Sequence, residues 1–202
     1  VRIVAGKYRR RKLQSNPGRT TRPITDRVKE ILFERLGGEL DGERVADVFS
    51  GTGTIGLEAL SRGAASVVFI ENDRKAVELL RQNVSMLEAD DVTLCWPTDV
   101  LRCSFRPKNV EHLLPFDLVF FDPPYKMVAD IQPGSKLSAS LERLARDTVT
   151  TPDALLILRA SEGAEFTPPD CWTPRRKMTM SRMDIHIFDK HPPDEEAIPE
   201  DD

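Results

Sequence analysis

Apolar positions recur along this chain in two rhythms. Short continuous runs, Arg44 to Phe49, Ser66 to Ile70, Val92 to Cys95, Phe116 to Phe121 and Ala154 to Leu158, read as strands buried on both faces of a parallel sheet. Between them apolar residues return every third or fourth position. These stretches predict a helix through Leu57 to Arg62 closed by Gly63, one from about Arg74 to Leu87, and one from Lys136 to Arg146. Ahead of the first strand, Thr25-Asp26 caps a helix from about Arg27 to Leu36, which Gly37-Gly38 ends. Residues 100–115 read as mixed helix and loop, and Lys126 to Ser135, without a clear period, as a mobile loop. Beyond the fifth strand, Trp172 to Met178 and Met183 to Phe188 predict a hairpin, with Met183, Ile185 and Ile187 inward against Asp184 and His186. The expected fold is α/β: a doubly wound seven-stranded sheet with an antiparallel edge hairpin.

Charge divides the chain. The net charge is −4, yet residues 1–35 hold eleven Lys/Arg against three Asp/Glu, leaving −12 for residues 36–202. A basic arm on an acidic body points to a polyanion gripped at one end. Arg2 to Leu13 reads as a hairpin-like segment whose turn carries Lys7, Arg9, Arg10, Arg11 and Lys12, residues suited to phosphate contacts that give affinity without reading sequence. Asn16-Pro17-Gly18 is a turn. From Asp189 to Asp202 there are seven acids, one Lys and three prolines, so this tail is expected to be disordered. The expected organisation is a basic, polyanion-binding hairpin and helix at 1–36, a main α/β domain at 37–190 and an acidic tail at 191–202. Three cysteines without a Cys-x-x-Cys pair suit reduced structural thiols, and the three histidines show no metal spacing, so no metal is expected. No apolar run approaches the 18 residues of a membrane span, and no leader is legible; a cytoplasmic monomer is expected.

The first strand runs into Asp47-Val48-Phe49-Ser50-Gly51-Thr52-Gly53-Thr54-Ile55-Gly56. Gly-x-Gly-x-x-Gly between a strand and a helix is shared by many nucleotide-binding folds, and its neighbours narrow it. Glycines at 51 and 53 admit a ligand close to the backbone and unusual φ values. Asp47 would face the α-ammonium group of an amino-acid-bearing ligand. Glu71, eighteen residues beyond Gly53, would accept both ribose hydroxyl protons. Asp99 would accept from an adenine amino group, with Asn72 and Val100 on the ring's flanks. A dinucleotide enzyme could share the glycines and Glu71, but its pyrophosphate would be repelled by acids at 47 and 99. S-adenosyl-L-methionine carries ammonium and sulfonium charges and fits that acid-lined pocket.

The fourth strand stops at Asp122-Pro123-Pro124-Tyr125, because consecutive prolines cannot continue a ladder. Ligands bind at such strand ends in open parallel sheets. The stretch resembles the [Asp/Asn]-Pro-Pro-[Tyr/Phe] signature of amino-methyltransferases. Asp122 and the Pro123 carbonyl would take the two protons of an exocyclic amine, Pro124 would stiffen the turn, and Tyr125 would stack on an unpaired or flipped base.

From residue 2 to about 125 the pattern resembles the RsmD-type bacterial 16S ribosomal RNA guanine-N2 methyltransferases. The resemblance rests on Arg2 to Arg9, Arg11-Lys12-Leu13, Arg22 to Phe33, Asp47 to Gly53, Gly56 to Gly63 and the Asp-Pro-Pro-Tyr stretch. It implies a Rossmann-like class I S-adenosylmethionine-dependent methyltransferase acting on one guanine N2 of 16S rRNA or the assembling small subunit. Lys7, Arg9, Arg10, Arg11, Lys12 and Arg22 would grip the RNA. Where the family has Thr, this chain has Ile24; where it has an acid at the end of strand five, this chain has Arg159-Ala160. A DNA adenine-N6 methyltransferase, a protein glutamine methyltransferase and a non-catalytic rRNA-binding assembly factor are the alternatives. The basic arm argues against the first two, and intact acids at 47, 71, 99 and 122 against the last.

Overall fold

A computed structural model describes residues 1–15 and 24–190. Strands β1 (Arg44–Val48), β2 (Ser66–Glu71), β3 (Thr93–Pro97), β4 (Phe116–Phe121) and β5 (Thr150–Ser161) run parallel; β7 (Met183–Lys190) lies antiparallel between β5 and the edge strand β6 (Trp172–Met180). The order β3-β2-β1-β4-β5-β7-β6 reverses direction between β1 and β4, so the cleft of a doubly wound sheet opens there. Helices α1 (Asp26–Arg35), α2 (Thr54–Ser61) and α3 (Arg74–Met86) cover one face. α4 (Tyr125–Val128) and α5 (Lys136–Leu144) cover the other.

β4 is central because both of its faces are apolar. Phe120 packs against α1 through Phe33, with ring centroids 5.7 Å apart, and Phe121 meets Phe49 edge-on at 5.4 Å. Burying each such ring stabilises the fold by about 1.5–3 kcal/mol. Helix starts follow side-chain caps: Thr25 accepts from the Val28 N–H at 3.3 Å, Asp73 from Ala76 at 2.9 Å and Ser135 from Ser138 at 3.0 Å.

Several boundaries differ from the sequence reading. Phe49 turns out of β1 at φ 63°, which aims the following loop across the sheet edge. β5 is 12 residues long rather than five: β4 pairs with it at Thr150 and from Leu155 to Leu158, and β7 carries the pairing on to Ser161. Residues 126–135 are not a free loop: Val128 and Ile131, one turn apart, are fully buried. The stretch 100–115 contains only a single short turn of helix, Glu111–Leu113. No helix among the described residues is long and apolar enough to cross a membrane. Arg22, the Asn16-Pro17-Gly18 turn and residues 191–202 lie outside the described residues, whereas Asp189 and Lys190, expected to open a disordered tail, are the last residues of β7 and pair with β6.

Candidate active site and arm

The β1–α2 loop is assembled from backbone constraints. Gly51 has φ 55° and open space where a Cβ would project, so this is where the backbone can be approached. Gly53 differs from the expectation of ligand access. Its φ of 81° is the left-handed value, but a Cβ there would lie 2.4 Å from Leu80, towards the core. Gly56 is likewise a packing glycine, a Cβ falling 2.4 Å from Phe69. Ser50 holds the turn through its carbonyl, which accepts from Gly53 N–H at 2.9 Å, while its hydroxyl is buried with no hydrogen-bond partner among the described residues.

Three acids converge on this edge. Glu71 accepts from Gly51 N–H at 2.9 Å through one oxygen and from Asn72 and Asp73 N–H groups at 2.9 and 2.8 Å through the other. Its carboxylate thus ties the glycine loop to the β2–α3 turn. Asp47 lies beneath the loop rather than in front of it: it is 1% exposed and accepts from Gly56 N–H at 2.8 Å. Burial pushes its pKa up to about 7; the Gly56 N–H opposes this, and the charges of Asp122 and Glu71 add to it. Asp99, half-exposed after β3, accepts from Leu101 N–H at 3.0 Å; Asn72 is exposed at the same edge. Val100 is buried in the second core layer, its carbonyl taken by Ser140 at 3.1 Å.

At the break after β4, Pro123 is buried and Pro124 caps α4, with Tyr125 the first helical residue. The Asp122 carboxylate is gripped by a residue to which the sequence reading gave no role. Arg159 of β5 donates from Nε at 2.8 Å and from Nη2 at 2.5 Å, and its guanidinium lies 6.0 Å from the centre of the Tyr125 ring. The register explains the meeting: Phe121 pairs with Leu158, so the next residue of each strand is a neighbour. The available signal was a single charge ending the apolar run Ala154–Leu158, level with Asp122.

The arm is built onto α2. Glu58, fully buried, accepts from Val4 and Ala5 N–H groups at 2.8 and 3.0 Å, from Arg62 Nε at 3.0 Å and from Lys29 Nζ at 3.3 Å. Lys29 also donates to the Arg2 carbonyl. Burial lowers the Lys29 pKa, and Glu58 opposes that. Ser61 accepts from Lys7 and Tyr8 N–H groups at 2.7 and 2.9 Å and donates to the Ala5 carbonyl at 2.5 Å. Gly6 is obligatory here, because a Cβ would sit 1.7 Å from the Ser61 carbonyl oxygen. Ile3 and Leu13 enter the α1–α2–α3 core, while Lys7, Arg9, Arg10, Arg11 and Lys12 are all exposed. Asn83 of α3 joins arm to loop: it accepts from Gln14 N–H at 2.7 Å and donates to the carbonyls of Gln14 at 3.0 Å and Thr52 at 2.9 Å. The basic cluster is not in the pocket. It lies at the far end of the eight-residue α2 from Gly53, about 12 Å along the axis.

A model of the family described as Conserved hypothetical protein 95 matches residues 1–189. The chain belongs to that family. Members of Conserved hypothetical protein 95 and their relatives carry informative names. The chain is 31% identical to ribosomal RNA small subunit methyltransferase D of Haemophilus influenzae, over 93% of each chain. It is 28% identical to the protein of the same name from Escherichia coli K12, over 94% of this chain and 90% of that one. The solved structure of yhhF from Escherichia coli matches with a TM-score of 0.77 at 27% identity, covering 96% of this chain and 99% of the other. An RNA methyltransferase from Salinibacter ruber in complex with S-adenosyl-L-homocysteine shares the fold, with a TM-score of 0.60 at 18% identity, covering 89% and 97%.

Proposed function

We infer that this protein transfers a methyl group from S-adenosyl-L-methionine to the exocyclic N2 of a guanine in small-subunit (16S) ribosomal RNA. The observation that carries the reading is the acid-lined edge. Asp47 is pushed up to about 7 by burial and by neighbouring acids, a setting that favours a cationic ligand and disfavours a pyrophosphate. The residues present fit such a ligand. Ser50 offers an unpartnered hydroxyl, Gly51 an open approach, and Glu71 a carboxylate already oriented by three N–H groups. Asp99 and Asn72 stand beyond Glu71 for the adenine. When bound, the cofactor supplies a methyl carbon on a sulfonium.

The chain's own part is to hold the amine. A purine amine is a poor nucleophile because its lone pair is delocalised into the ring. Asp122 would accept one amine proton and the Pro123 carbonyl the other, fixing the nitrogen's lone pair towards the cofactor edge. Pro124 keeps that carbonyl from swinging, and Tyr125 stacks on the flipped base, worth about 1–3 kcal/mol. Residues 1–36 form the gripping arm through Lys7, Arg9, Arg10, Arg11, Lys12 and Arg22, and residues 37–190 the methyltransferase domain. The protein acts as a monomer in the cytoplasm, on 16S rRNA or the assembling small subunit.

The deciding experiment incubates the protein with labelled S-adenosylmethionine and unmodified small-subunit particles, then maps the labelled nucleotide. Label on a guanine N2 is expected; label elsewhere rejects the base assignment. Asp122→Ala is expected to abolish transfer while RNA binding stays within about twofold, and unchanged turnover removes the role given to Asp122.

A further inference from the structure

Two arginine–aspartate forks join neighbouring strands of this sheet, and they differ in one respect. At the start of β1 and β4, Arg44 Nε and Nη2 donate to Asp117 at 3.1 and 3.2 Å, and Nη1 donates to the Leu114 carbonyl at 2.9 Å. That fork is partly exposed and closed, each arm having an acceptor. At the other end of the sheet, Arg159 Nε and Nη2 hold the two Asp122 oxygens, and Nη1 is buried with no acceptor among the described residues. Arg143 shows a third pattern, spreading its donors over the carbonyls of Cys103, Val100 and Leu101 to tie down a loop. Among the described residues, Arg159 directs its hydrogen bonds at a single carboxylate.

The surroundings explain why a cation is needed there. Asp47 on β1 and Glu71 on β2 place negative charge along the same edge, and Tyr125 of α4 lies beside the guanidinium. Towards α1 and α2, Ile24, Leu32 and Ile55 close a small apolar cavity against Asp122 and Arg159. On β7 the neighbour of Arg159 is Ile185, which lines the same cavity; Asp184 and Lys177 are paired with each other at 2.8 Å. A carboxylate in such a place, without its cation, takes up a proton. A protonated carboxyl donates where the amine needs an acceptor.

We propose that Arg159 is a positioning residue for methyl transfer: its fork supplies the countercharge of Asp122 and aims the carboxylate at the substrate amine. The fork engages one lone pair of each oxygen, so each oxygen keeps another for the amine. This rests on the methyl-transfer reading above.

The test measures kcat at saturating S-adenosylmethionine on unmodified small-subunit particles, between about pH 6 and about pH 9, for the wild type, R159M, R159Q, R159K and D122A. Near neutral pH, R159M and R159Q are expected to lose roughly 10²-fold. Their kcat is expected to rise with pH over this range, a limb the wild type lacks. R159K restores the cation and flattens the profile. R159Q matches R159M in length but keeps a polar head, so a defect confined to the apolar R159M does not decide the matter. If both neutral variants give profiles parallel to the wild type, or if R159K is no better than R159Q near neutrality, the proposal is overturned. D122A separates the two levels. An active D122A removes the methyl-transfer reading of Asp122 itself, whereas an inactive D122A beside R159 variants of wild-type profile removes only the role of Arg159.

Discussion

Asp47 shows what a single buried acid does to the whole chain's response to pH. In the unfolded chain its carboxyl titrates in the ordinary range near 3.8; folded, it titrates at about 7. Between these values the folded protein holds a proton that the unfolded chain has released, so raising the pH favours unfolding. Stability therefore falls from about pH 4 and levels off above about pH 7, by at most about 4 kcal/mol. Urea denaturation of the ligand-free protein at several pH values, against Asp47→Asn, is the check. The variant is expected to lack that slope, because an amide still accepts from Gly56 but does not titrate. A saturating cationic cofactor should flatten the wild-type slope as well.

Among the elements, α2 does more than span two layers. Its Glu58 is the common partner of two buried cations and two arm N–H groups. Glu58→Gln removes the buried countercharge of Arg62 and leaves Lys29 only its longer pair with Asp26 at 3.9 Å, and is expected to destabilise the fold by about 3–5 kcal/mol, read by urea denaturation. Lys29→Met combined with Glu58→Gln should recover part of that loss. The sequence disclosed α2 and the strands around it well, because apolar runs bounded by glycines and prolines leave few alternatives. It disclosed Asp122-Pro123-Pro124-Tyr125 for the same local reason. What stayed hidden was anything set by register. Glu58 and Ser61 look like ordinary helix positions until Val4 and Tyr8 are laid against them. Arg159 looks like a misplaced charge until β5 is aligned on β4. Gly53 was misjudged because its φ and its Cβ direction are separate facts, and only the second tells whether core or ligand fills the space.

For the molecule as a whole, the proposed grip and the proposed chemistry fall at opposite ends of one short helix. Lys7, Arg9, Arg10, Arg11 and Lys12, all exposed, sit at the Ser61 end, and Asp122 and the glycine loop at the Gly53 end. An RNA that reaches both presents phosphates about a helix length away from the base being modified. Replacing Arg9, Arg10 and Arg11 together with Gln should leave folding unchanged, since no side chain of the three enters the core. RNA affinity should fall, and the slope of log affinity against log salt should lessen by about 2–3. A titration at several salt concentrations measures both, and an unchanged slope would mean the arm does not contact phosphate. The exposed run Arg175-Arg176-Lys177 on β6 is a second basic stretch that the sequence reading passed over, in a region searched only for strands.

The fit of Gly6 against Ser61 bears on how such an arm can be inherited or engineered. Residues 1–15 look like a detachable tag, yet their shape is written in α2 and α3: the Ser61 carbonyl fills the space of a missing Cβ, Glu58 holds two of their N–H groups, and Asn83 holds Gln14. Transplanted onto another methyltransferase core without Glu58, Ser61 and Asn83, the same fifteen residues would arrive as a loose cationic peptide. Arm and helices must travel together, so in descent and in design alike the unit that is passed on is the docked pair.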